Sequence, residues 1–225
     1  MFHLHGPALR GGALALLAAV LFGVSTPLVQ HLGAGLGAFS TAALLYAGAA
    51  GMGAVLRKPV QQEARLRRAD TSRLLAMAGL GAVVGPVALA WGLQRTSGSS
   101  ASLMLTLEAL FTALLAWRLY HETMDRRGWA AMLLLLAGGV ALVVDQGRLG
   151  GVELAGLLAV LLATMAWGAD NTLSRALAER DPAQVVLVKA ALGASATAVL
   201  AWGLGEPMPT AAAAWGLVAV GATGY

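Results

Sequence analysis

The chain has 225 residues, of which 58% are hydrophobic and only 12% charged, and its mean hydropathy is +0.74. A soluble domain carries about a quarter charged residues, so water is not the main solvent here. The net charge of +4 sits in short breaks between apolar runs rather than on one face, which argues for a membrane orientation signal and against a nucleic-acid partner.

No Cys is present, which excludes disulfides, thiolate metal sites and thiol nucleophiles. The 29 glycines are nearly twice the usual share of about 7%. They fall inside the apolar runs, where small residues let neighbouring membrane helices approach closely.

A helix needs about 20 mostly apolar residues to cross a bilayer. That length predicts spans at 12–32, 38–56, 74–93, 98–117, 129–144, 152–172 and 183–203, and an eighth that begins near Ala211. The first reads as a span rather than a cleaved leader, because equally apolar segments follow it. The eighth has about 22 Å of helix by Tyr225 against a core of about 30 Å, so the sequence predicts seven complete spans and the start of an eighth. Pro27 and Pro86 predict kinks in the first and third.

The basic residues orient this array. Arg10, Arg57, Lys58, Arg65, Arg67, Arg68, Arg73, Arg118, Arg126, Arg127, Arg175 and Arg180 all fall on one side, and only Arg95 and Arg148 on the other. The positive-inside rule then places the N-terminus in the cytoplasm, with a bacterial-type inner membrane as the expected location. The breaks are too short for a soluble domain.

Shifted by 145 positions, the first span overlays the sixth: Phe22 meets Trp167, Gly23 meets Gly168, and further on Gly48 meets Gly193. Five spans separate corresponding elements, so the second copy enters from the opposite side. The expected fold is an all-α polytopic membrane protein of inverted five-helix repeats, one over 1–147 and an incomplete one over 148–225. Such repeats are typical of secondary transporters.

Glu108 is the eleventh of the twenty residues from Gly98 to Trp117, about 16 Å from the outer end of its helix. It reads either as a protonated carboxyl packed between helices or as a group facing a water-filled cavity, the default for an intramembrane ionisable residue. Lys189, the other deep charge, either snorkels to the interface or serves as a counter-charge to Glu108. Trp91 reads as an aromatic-belt anchor or as lining, and Gln94 as lining of an external mouth or a plain turn residue. Asp170 and Asn171 near the end of the sixth span are either solvated at the interface or a polar lining.

Three motifs fail. HETMD at His121 has Asp125 where a zinc HExxH requires His, and the glycines of GLGAVVG at Gly79 are wrongly spaced for a dinucleotide fingerprint. The four His and scattered Ser form no hydrolase pattern, so the chain reads as no enzyme, with no cofactor and no metal.

The run TSGSSASLMLTLEALFTALLAWRLYHETMDRRGWAAMLLLLAGGVALV resembles the EamA domain of the drug/metabolite transporter superfamily. Glu108, Phe111, Thr112, Glu122, Gly128, Gly138 and Gly139 fill that pattern's places, and Ala109 stands where it commonly has Pro. WGADNTLSR at Trp167 looks like the second EamA repeat, with Asp170 and Asn171 in its polar positions. The resemblance implies ten helices in two inverted repeats, cytoplasmic termini, and export or exchange of small metabolites, often coupled to an ion gradient. The expected partners are the lipid bilayer, a small-molecule substrate, a coupling proton or cation, and a second copy of the chain as a candidate. A non-transporting membrane fragment or assembly partner stays open beside the transporter.

Overall fold

The computed structural model describes residues 6–56, 65–149 and 151–225; Arg57 and Lys58, two of the basic residues used for orientation, lie outside them. Among the described residues the helices are α1 (Gly6–Leu32), α2 (Ala38–Leu56), α3 (Thr71–Met77), α4 (Gly85–Leu93), α5 (Gly98–Leu105), α6 (Leu107–Tyr120), α7 (Arg126–Leu149), α8 (Gly151–Ser174), α9 (Pro182–Gly203) and α10 (Ala211–Gly224). No strand occurs among them. A π-helical stretch, Ala78–Val84, joins α3 to α4, and α5 and α6 make one span interrupted at Thr106. Seven of the described helical segments are long and apolar enough to cross a membrane, and Ala211–Gly224 is a shorter eighth. The chain is an all-α polytopic membrane protein.

Local chemistry sets several of these boundaries. Ser97, Asp181 and Thr210 cap α5, α9 and α10 by accepting the backbone N–H groups of Ser100, Gln184 and Ala213, as short oxygen side chains do at helix starts. Pro182 opens α9, where its missing N–H costs nothing. α1 runs on through Pro27, so that proline does not end its helix. The loop before α2 has Gly35 at φ +80°, a backbone conformation that glycine adopts without strain.

α2 packs most extensively against α9 and α10, and α8 against α4 and α6. Phe111 and Thr112 of α6 sit against Gly168, and Arg175, just past α8, stacks over the Tyr120 ring. The numbers rise together along both helices, so α6 and α8 run in the same direction, as the fourth and sixth spans of an alternating array must. α7 lies at the rim with Leu133 and Leu134 exposed, an apolar face suited to lipid.

Side-chain bonds sort the ends of the array. Arg180 pairs with Asp70 at 2.9 Å, Arg175 with Glu122, and the Leu66 N–H donates to Gln184 at 2.9 Å, which gathers the breaks at 65–70, 121–125 and 175–181 at one end. At the other end Gln30 donates to the carbonyls of Leu93 and Thr96. There, too, Glu206 accepts the N–H groups of Phe39 and Ser40, an anion on the positive end of the α2 dipole. Arg65, Arg67, Arg68, Arg118, Arg126, Arg127, Arg175 and Arg180 belong to the first end, and Arg95 to the second.

Two glycines matched by the 145-residue shift occupy matching positions. A Cβ on Gly48 would run into the Val218 carbonyl of α10, and one on Gly193 into Ala82 of the π-helical stretch. In both places backbone touches backbone, which a methyl group would block. Gly48→Val is expected to lose about 1–3 kcal/mol, the usual cost of overpacking, read as a lower midpoint of thermal unfolding in detergent. Gly51→Val, one turn on with nothing within 4 Å, should leave that midpoint unchanged; equal losses would show that the α2–α10 contact is not what Gly48 serves.

Candidate functional site

A cavity of about 290 Å³ lies where α1, α2, α6, α8, α9 and α10 meet, and Glu108, Asp170, Asn171 and Lys189 all line it. The Asn171 amide donates to Glu108 Oε1 at 2.7 Å. The Lys189 ammonium donates to Asp170 Oδ2 at 2.6 Å. Lys189 is therefore the counter-charge of Asp170, and it makes no ion pair with Glu108 among the described residues. Asp170 is 4% exposed, which places it inside the protein rather than in interface water.

The remaining walls are aromatic: Phe22, Tyr46, Trp167 and Tyr225. Phe22 and Trp167 meet edge to face with centroids 5.9 Å apart, and Tyr225 stands 5.8 Å from both Phe22 and Tyr46. Edge-to-face pairs are the arrangement that the ring quadrupoles favour.

The π-helical stretch explains how the polar groups are held. Gly85 donates its N–H to Leu80, five residues back, and the next N–H in that ladder would reach the Gly81 carbonyl. Residue 86 is proline and has no N–H to give. The freed carbonyl accepts the Tyr46 hydroxyl and, at 2.9 Å, the Trp167 indole N–H. Residue 81 must also lack a side chain, because a Cβ there would overlap the Asp170 carboxylate. Gly81 and Pro86 thus fix Tyr46, Trp167 and Asp170 together. In the sequence Pro86 predicts only a kink and Gly81 is one of many glycines in apolar runs; the distance of five residues between them is the available signal.

Beside Glu108 the span breaks without proline. The Thr106 hydroxyl donates to the Leu103 carbonyl at 2.7 Å, and its own N–H reaches the same carbonyl at 3.2 Å. That is a threonine turning back on its own helix. Ala109, where the EamA pattern commonly has Pro, therefore does not keep the helix whole.

Trp91 and Gln94 lie elsewhere. They line a separate cavity of about 690 Å³ with Val83, Val87, Arg95 and Glu206. Gln94 donates to the Leu36 carbonyl at 3.0 Å, which ties two loops together. The Arg95 guanidinium lies 3.8 Å over the Trp91 ring, a cation–π contact.

The fold and this interior polar cavity define the class: a multi-spanning helical membrane protein with ionisable groups turned inward. The EamA-like transporter family matches residues 9–144, more than half of the chain, and the chain belongs to that family. An uncharacterized transporter of Methanothermobacter thermautotrophicus is 32% identical over 137 residues, covering 59% of this chain and 40% of its own length. The chain thus spans less than half of that relative. A solved crystal structure has a similar fold, with a TM-score of 0.61 at 20% identity over 93% of this chain and 73% of that one.

Proposed function

We propose that the chain is a secondary transporter that exports or exchanges a small metabolite or amphipathic compound, coupled to a proton or cation gradient, with Glu108 as the coupling or substrate group. The observation that carries this is the gathering of Glu108, Asp170, Asn171 and Lys189 from three spans around one cavity. Charges at membrane depth are costly, and they concentrate on substrate and ion pathways. The matched positions of Gly48 and Gly193 support two inverted halves, 1–147 and 148–225, that rock about this cavity. The basic end supports a cytoplasmic N-terminus in a bacterial-type inner membrane.

The test is efflux from proteoliposomes loaded with radiolabelled amino acids, aliphatic amines and organic acids, with and without an imposed proton or sodium gradient. At least one class should leave faster than from protein-free liposomes, and the gradient should accelerate it. No excess flux of any class would refute transport by this chain.

A further inference from the structure

The cavity is one positive charge short. Its walls carry two carboxylates, Glu108 and Asp170, and one ammonium, Lys189. Lys189 spends its contact on Asp170 Oδ2, and the buried Asp170 Oδ1 has no hydrogen-bond partner among the described residues. Glu108 has an amide donor, Asn171, but no cationic partner among the described residues. A buried carboxylate oxygen without a donor is costly, and the summed charge of the three groups favours a ligand of charge +1.

The other walls choose among monocations. Phe22, Tyr46, Trp167 and Tyr225 offer ring faces and edges, and ring faces carry partial negative charge that attracts a cation and repels an anion. A hard metal cation takes about six or more oxygen ligands, and no group of three or more metal-binding side chains occurs among the described residues. The volume of about 290 Å³ sits at the small end for ligand pockets. We infer that this cavity binds a primary amine on a compact flat apolar body, the ammonium donating to Glu108 and the Asp170 carboxylate and the body lying among the rings. An ammonium has three donors, enough for both carboxylates.

The inference rests on the reading of this cavity as the substrate site, yet binding tests it apart from transport. Calorimetry on the purified full chain in detergent would use phenethylamine, its neutral analogue 2-phenylethanol and the anion 3-phenylpropionate. Phenethylamine should bind one to one and about tenfold or more tighter than the alcohol, the scale of a charge-assisted hydrogen bond, and the acid should not bind. Glu108→Gln should weaken the amine and leave the alcohol unchanged. Equal binding of amine and alcohol, preference for the acid, no binding of the amine, or displacement of the amine by sodium in place of competing amines would each overturn the assignment. The three-ligand comparison on the unaltered protein decides even if the variant misfolds. Amine that binds without being carried would refute transport alone, whereas flux of another class without amine binding would refute the inference alone.

Discussion

Asp170→Asn should destabilise the protein by about 3 kcal/mol, the lower end of the cost of breaking a buried ion pair. The lower end applies because the Lys189 side chain keeps 20% exposure against 6% for Asp170, and because an Asn carbonyl still accepts from the ammonium. Lys189→Gln should cost at least as much, since it leaves a bare carboxylate pressed against Gly81. The double variant Asp170→Asn/Lys189→Gln removes both charges and should recover to within about 1 kcal/mol of the parent, because a neutral pair escapes the desolvation cost. Thermal unfolding in detergent reads all three. A double variant that loses the sum of the two single losses would show that the residues do not act as a pair.

Glu108→Gln is the second large effect, and it separates folding from function. A glutamine Oε1 accepts the Asn171 amide as the carboxylate does, so stability should change by less than about 1 kcal/mol. The negative charge is gone, however, and with it the group proposed to meet substrate or coupling ion. Flux from proteoliposomes should fall about 10- to 100-fold, the loss of one charged hydrogen bond in the transport step. Its acceleration by the imposed gradient should disappear. Unchanged rate with unchanged gradient dependence would remove Glu108 from the mechanism.

The spans and the unusual place of Glu108 within one were legible because both are local signals. Bilayer length fixes the apolar runs, and a carboxylate in the middle of one stands out. The pairing around Glu108 was not, because it depends on which helices adjoin. Lys189 and Glu108 stand out in the sequence as the two deep charges, but only packing reveals that Asp170, nineteen residues before Lys189, reaches the ammonium. Asp170 itself, near the end of its predicted span, reads equally as solvated or as lining, and only the packing of α8 puts it inside the protein. Glu206 reads in GEPMPT as an ordinary loop acid, and its role at the start of α2 joins residues 166 and 167 positions apart. Tyr46 and Trp167 show no hydrogen-bonding role in an apolar run because the acceptor they share, the Gly81 carbonyl, exists only once Pro86 has left it free.

Central to the account is that the polar cluster faces water between helices rather than lipid. Because the chain has no Cys, a single introduced thiol reports on one position. Asn171→Cys should be modified rapidly by a water-soluble, positively charged methanethiosulfonate in membranes, whereas Leu134→Cys on the lipid-facing rim of α7, where Leu134 is 74% exposed, should react slowly. Labelling of residue 171 no faster than of residue 134 would contradict the account.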